Sequence, residues 1–134
     1  MFDEIRDLNK AIIRKRERIE ELRWQAVSTN LPINADRVQT SGGKDRLGDL
    51  MCKIIVLENE LESMEIEYGE LTGEAIQRIY SIGNDEWSDI LYTHYIEFKP
   101  LQEIANAKGV SLNAIRSRNN RAIKKFKRII DETK

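Results

Sequence analysis

The chain has 134 residues, of which 40% are hydrophobic and 34% are charged, with only two prolines and seven glycines. This composition is typical of one helix-rich domain, or of a small domain with an extended element, and it argues against intrinsic disorder. No apolar run approaches the roughly 18 residues of a membrane span, and the charged start MFDEIRDLNK lacks the apolar core of a signal peptide. We therefore expect a cytoplasmic protein with no membrane partner.

The net charge of −1 conceals an uneven distribution along the chain. Residues 99–134 carry ten basic and three acidic side chains, a net +7, whereas the remainder carries 12 basic and 20 acidic ones, a net −8. A basic segment on a nearly neutral chain indicates a surface that binds a polyanion, which the overall charge alone does not reveal.

An antiparallel, coiled-coil-like helical hairpin is predicted for residues 1–73. Apolar residues recur at alternating three- and four-residue intervals over residues 2–28, which is the pattern of a helix with a narrow apolar seam. The same pattern begins again near Lys44, and two helices of similar length with matching seams pair side by side. The seam positions are Ile5, Leu8, Ile12, Ile19, Leu22 and Ala26, followed by Leu47, Leu50, Ile54, Leu57, Leu61, Met64, Tyr68, Leu71 and Ala75.

Residues 29–43 connect the two predicted helices, and their Asn-Leu-Pro and Ser-Gly-Gly segments break the helical period. A connection of this length is long for a bare loop. We therefore expect Leu31, Ile33 and Val38 to pack back onto the helices, together with Trp24.

The two helices of the predicted hairpin differ in the charge that they carry. Lys15 is the one polar residue in the first seam, and no basic residue occurs between Ile54 and Gln77. The antiparallel register places Lys15 opposite Glu58 or Glu62. Mutual neutralisation across the hairpin is the simpler interpretation of these charges. The alternative is that one charged face binds a partner, either a second copy of the chain in a homodimer or RNA polymerase.

Residues 74–134 are predicted to form a second domain. A Thr-Gly pair at residues 72–73 is a candidate bend before it. Asn84 or Asp85 is a good N-cap for a helix over residues 85–96. The expected core residues of that helix are Trp87, Ile90, Leu91 and Tyr95, and Pro100 is well placed to open the next helix.

The next stretch, Leu101–Phe126, has the spacing of a helix-turn-helix. Ala105 is small enough for a second helix to cross closely, Gly109 accommodates a left-handed turn, and Val110 and Ile115 fill the angle between the helices. Ser111 is the candidate N-cap of the second helix. The predicted buried stripe of that helix is Ile115, Ala122 and Phe126, with Ile129 or Ile130.

The N-terminal half of such a second helix enters the DNA major groove. There, arginine pairs with guanine, asparagine pairs with adenine, and an apolar side chain touches the thymine methyl group. The candidate base-reading residues are Leu112, Asn113, Arg116, Ser117 and Asn120. The candidate phosphate-binding residues are Lys99, Gln102, Ser111, Arg121, Lys124, Lys125, Lys127 and Arg128. Double-stranded DNA is therefore the expected partner.

Residues 95–126 resemble region 4 of sigma-70-type factors, the part that reads the promoter −35 element. The similarity lies in YIEFKPLQEIANAKGVSLNAIRSRNNRAIKKF, through a Tyr before a short linker, Glu-Ile-Ala, Gly-Val-Ser, Ala-Ile-Arg-Ser-Arg and Arg-Ala. Two positions depart from the pattern, because Asn119 stands where leucine is frequent and His94 stands where arginine commonly precedes the tyrosine. Nothing resembles the sigma region that melts the promoter, so a complete sigma factor is not expected.

The whole arrangement resembles small phage late-transcription activators of the ArpU/RinA type. Those share an N-terminal helical segment, a connection similar to VQTSGGKD (Val38–Asp45), an acidic helix and a unit like sigma region 4. The resemblance implies a phage or prophage activator of late genes that acts with host RNA polymerase in the bacterial cytoplasm.

Other functions stay open from the sequence. A DNA-recognition subunit of a phage packaging machine also combines a helix-turn-helix with coiled-coil helices, and an adaptor would use the helix-turn-helix for protein contacts alone. An enzyme is not expected, because Cys52 and His94, the one cysteine and the one histidine, fall on separate predicted helices. These two residues cannot complete a closed zinc site, so no metal or cofactor is expected.

Overall fold

The computed structural model describes residues 1–29 and 42–132. Residues 30–41, which hold Leu31, Ile33 and Val38 of the predicted connection, lie outside the described residues, as do residues 133–134. In the described part the chain is all-α, as predicted. Its helices are α1 (Phe2–Thr29), α2 (Gly42–Tyr80), α3 (Asp85–Leu91), α4 (Leu101–Lys108) and α5 (Leu112–Glu132), and a π-helical turn, Tyr92–Ile96, follows α3. None of them combines the length and the apolarity needed to cross a membrane.

The chain divides into two compact units, and both boundaries fall inside helices α1 and α2. One unit is a helical hairpin, Asp7–Tyr68. The other combines Met1–Arg6 with the chain from Gly69 onward. Helix α2 passes through the Thr-Gly pair at residues 72–73 without a break.

The hairpin unit buries the predicted seam between α1 and α2. Each large apolar side chain that leaves water here contributes about 1.5–3 kcal/mol to stability. The buried residues are Ile19, Leu22, Ala26, Leu50 and Ile54, and Leu47, Leu57 and Leu61 pack against them. Trp24, which was expected to pack with the connection, is 71% exposed to solvent.

Ion pairs cross the hairpin between the basic side of α1 and the acidic side of α2. They are Lys15–Glu60, Arg16–Glu65 and Arg23–Glu58. The predicted pairing of Lys15 with Glu58 or Glu62 is wrong, because Arg23 engages Glu58 and Lys15 reaches Glu60 instead. Neutralisation across the hairpin accounts for these charges, and exposed pairs of this kind contribute about 1 kcal/mol or less.

The second unit packs α5 against α3 and α4. At one end of α5 the angle between α4 and α5 is filled by Ile90, Ile104, Ala105 and Ile115, with Leu101 and Val110 beside them. The second cluster of this unit consists of Ile79, Ile82, Leu91, Ala122 and Phe126. Of these buried positions, Ala105, Ile115, Ala122 and Phe126 were predicted from the helix-turn-helix spacing, and Ile90 and Leu91 were predicted as core of the helix before it.

Phe2 belongs to the core of this second unit, although the sequence places it at the start of the hairpin. Its ring stacks on Tyr95 and on Phe126, with 4.4 Å between ring centroids in both cases. Ile5 of the same segment is fully buried. Residues Met1–Arg6 therefore complete the apolar core around α5.

The N-cap of α3 is Asn84, one of the two predicted candidates, since its Oδ1 accepts the N–H of Trp87 at 3.1 Å. The expected helix over residues 85–96 is α-helical only to Leu91. Beyond it the Glu97 N–H donates to the Tyr92 carbonyl, one residue further back than in an α-helix. His94 Nδ1 lies 2.7 Å from the Lys99 carbonyl oxygen, so it is the protonated nitrogen that donates there.

Replacing glycine by alanine is expected to have opposite effects on stability at two positions, Gly109 and Gly73. Gly109 has φ +68°, in the left-handed region, whereas Gly73 lies inside α2, and neither has an atom within 4 Å of an added Cβ. We expect Gly109→Ala to lower the free energy of unfolding by about 1–2 kcal/mol through backbone strain. Gly73→Ala should raise it by about 0.5–1 kcal/mol through helix propensity. Urea unfolding followed by circular dichroism measures both, and equal effects would contradict the left-handed turn.

Candidate nucleic-acid interface

The turn between α4 and α5 is closed by backbone hydrogen bonds and by one side-chain cap. The Val110 N–H donates to the Ala105 carbonyl at 3.1 Å, and the left-handed Gly109 donates to Asn106 at 3.3 Å. The Ser111 hydroxyl then accepts the Ala114 N–H at 3.1 Å, which starts α5. These hydrogen bonds therefore fix the direction in which α5 begins, and they do not involve the side chains on the exposed face of that helix.

The buried stripe of α5 consists of Ile115, Asn119, Ala122 and Phe126. Asn119 is the polar member, and 7% of it is exposed. Its Nδ2 donates to the Tyr95 hydroxyl at 3.1 Å, while its Oδ1 is buried without a partner among the described residues. An unsatisfied buried acceptor lowers the free energy of unfolding by about 1–3 kcal/mol. The buried stripe therefore contains one stabilising hydrogen bond, from Asn119 Nδ2, and one destabilising group, Asn119 Oδ1.

The candidate base-reading residues lie mostly on the opposite side of α5. Asn113, Arg116, Ser117 and Asn120 are exposed, whereas Leu112 is half-buried. Asn113, Ser117 and Asn120 follow one another at intervals of four and three residues, which aligns them along one line of the helix surface. The structure thus brings the three uncharged polar candidates together and leaves Leu112 at the margin.

The candidate phosphate-binding residues fall into two groups. Arg121, Lys124, Lys125, Lys127 and Arg128 are all exposed on α5. The other three lie ahead of it and are already engaged. Lys99 Nζ is 3.8 Å from a Glu97 carboxylate oxygen, Gln102 donates to Asn106 at 2.9 Å, and the Ser111 hydroxyl is the cap of α5.

Acidic residues of α3 neutralise the cations on the side of the unit that faces them. Arg118 pairs with Glu86 at 2.6 Å, and Lys108 of α4 pairs with Asp89 at 2.7 Å. Arg118 counts toward the basic total of the sequence, but its guanidinium is occupied.

The remaining cations of α5 have no such partner in the part of the chain that the structure describes. Within residues 1–29 and 42–132, no ion pair or hydrogen bond joins another residue to the side chains of Arg116, Arg121, Lys124, Lys125, Lys127 and Arg128. We call this surface, together with Asn113, Ser117 and Asn120, the open face of α5. Such a face can bind a polyanion without first breaking an internal ion pair.

Two contacts that support the open face were not predicted. The Asn119–Tyr95 hydrogen bond joins α5 to the π-helical turn, and Phe2 stacks under both Tyr95 and Phe126. A sequence signal existed for the first contact, because Asn119 occupies the position four residues after Ile115 in the buried stripe. No periodic signal marks the packing of Phe2 on a helix near the other end of the chain.

Other kinds of site find no support in the described part of the chain. No group of three or more His, Cys, Asp or Glu side chains there is placed to hold a metal ion. Cys52 is exposed on α2. No family model matches the chain, and no curated protein or solved structure matches it either.

The polar contact beneath the open face gives a coupling prediction. Tyr95→Phe removes the acceptor of Asn119 Nδ2 and leaves the whole buried amide without a partner, so we expect a loss of about 1–3 kcal/mol in unfolding free energy. In a chain that already carries Asn119→Leu, the same Tyr95→Phe change should cost close to nothing, because no buried amide remains. Urea unfolding of the four proteins gives the coupling energy. An equal cost of Tyr95→Phe in both backgrounds would mean that the hydrogen bond does not stabilise α5.

Proposed function

We propose that the chain is a sequence-specific regulator of transcription that binds double-stranded DNA through α5. The observation that carries this proposal is the open face, where six cations without partners among the described residues accompany a line of exposed amide and hydroxyl groups. Cations bind phosphate oxygens in any sequence. Amides distinguish base edges in the major groove, which is wide enough to admit an α-helix.

The two kinds of group favour DNA over a general acidic partner. An acidic protein surface would engage the cations alone, whereas a base edge in the major groove also presents a donor and an acceptor side by side to Asn113 and Asn120. The helix-turn-helix geometry presents the N-terminal half of α5, which contains Asn113, Arg116 and Ser117, at the end that such units insert into the groove.

We further propose that the regulator is a phage or prophage activator of late genes that acts with host RNA polymerase. The support for this narrower role is the resemblance to sigma region 4 and to the ArpU/RinA-type activators. The hairpin unit would then supply the protein contacts, through either polymerase or a second copy of the chain. Large apolar side chains exposed on the hairpin support such contacts, and they include Trp24, Val27, Met51 and Ile55.

The salt dependence of binding tests the proposal. Each phosphate contact adds about 0.9 to the slope of log affinity against log salt concentration. We expect Lys124→Gln to reduce this slope by about 0.9 on a mixed-sequence duplex. Arg118→Gln is the matched control on the same helix, because Glu86 already neutralises Arg118, and it should change the slope by much less. Fluorescence anisotropy at several salt concentrations measures both.

Two outcomes would contradict the assignment. If the unaltered chain bound no duplex even at low salt, the function would shift to an adaptor that uses the helix-turn-helix for protein contacts. If Arg118→Gln reduced the slope as much as Lys124→Gln, the binding surface would include the α3 side of the unit rather than the open face.

A further inference from the structure

Over residues 113–121 of the open face, uncharged and charged groups occupy separate lines, and Lys124 continues the uncharged line toward the C-terminal half of α5. Asn113, Ser117 and Asn120 form the central line, opposite the buried stripe. Because successive residues of an α-helix are about 100° apart, Arg116 lies roughly 70° to one side of that line and Arg121 roughly 70° to the other. Lys127 and Arg128 repeat the two flanks about three turns and two turns further on.

From this arrangement we infer that α5 reads two A·T base pairs, about three base pairs apart, through Asn113 and Asn120. The flanks then bind phosphates, Arg116 on one strand and Arg121 on the other. This inference rests on the proposed DNA binding and names the class of site that the open face recognises. It moves Arg116 from the base-reading residues, where the sequence placed it, to the phosphate-binding ones.

The identity of the base follows from the chemistry of the central line. An asparagine amide presents one donor and one acceptor side by side, and these match N7 and N6 of adenine in the major groove. Guanine presents two acceptors there and calls for arginine or lysine. No hydrogen bond joins Asn113 or Asn120 to another residue in the described part of the chain, so both amides are free to pair. Ser117 lies between them, and its hydroxyl can form a hydrogen bond with either base.

The separation of the two base pairs follows from the helix. Asn113 and Asn120 are two helical turns apart, which is about 10 Å at a rise of roughly 1.5 Å per residue. Stacked base pairs rise by about 3.4 Å, so a helix lying along the groove brings the two amides to base pairs about three steps apart. The flanking cations face opposite walls of the groove, where the two phosphate backbones run.

Selection of bound duplexes from a random pool, followed by sequencing, tests this inference. The chain should enrich adenine at two positions about three base pairs apart. Asn113→Ala should abolish the preference at one position and Asn120→Ala at the other, each weakening the selected site by roughly tenfold. Asn59→Ala, the same change at an exposed position of α2, should leave the preference unaltered. Arg116→Gln should keep both preferences and lower the salt slope by about 0.9.

The outcomes separate this inference from the proposed function. If the unaltered chain binds no duplex, the proposed function fails and the inference fails with it. If the chain binds and enriches guanine at the central positions, or if Asn113→Ala and Asn120→Ala keep the original preferences, the inference alone is overturned. If Arg116→Gln changed the base preference, Arg116 would be a base-reading residue and its assignment to phosphate binding would be wrong. Circular dichroism spectra and thermal unfolding of each variant show that its helices are retained.

Discussion

The burial of one side of α5 determines what the rest of the second unit can do. Ile115, Ala122 and Phe126 leave water against α3, α4 and the N-terminal segment, and this apolar burial is worth several kcal/mol. A shift of one residue in this packing would turn the helix by about 100° and bring charged or amide side chains into the core. Because that is prohibitively costly, the core fixes the line on which Asn113, Ser117 and Asn120 are exposed.

The cations of the second unit fall into two groups, those that face α3 and those on the open face of α5. Glu86 and Asp89 of α3 pair with Arg118 and Lys108, which lie on the side of the unit that faces α3. The cations that point away from α3 keep their positive field, as polyanion binding requires. The hairpin unit behaves differently, since its basic and acidic sides neutralise each other through exposed pairs of low individual strength. A net charge of −1 for the chain therefore describes neither unit.

Features with a local signal could be predicted from the sequence. The seam positions of the hairpin, the Asn84 cap, the left-handed Gly109 and the Ser111 cap are each marked by residue types spaced within one or two helical turns of one another, so spacing alone identifies these positions. The Lys15 partner was misplaced because spacing aligns helices but does not choose among neighbouring glutamates. The stacking of Phe2 depends on a contact between distant segments, which has no periodic signal. The helical period places Asn119 in the buried stripe of α5, but its partner Tyr95 lies on a π-helical turn that this period does not reveal.

In the proposed complex, a DNA duplex would cover the open face of α5. Amine acetylation of the chain with and without a duplex, read by mass spectrometry, tests it most directly, since a covered lysine reacts more slowly. We expect the duplex to protect Lys124 and Lys127 several-fold while Lys53, exposed on the hairpin, reacts at an unchanged rate. Equal reactivity of Lys124 and Lys127 in both conditions, with the duplex bound, would contradict the account.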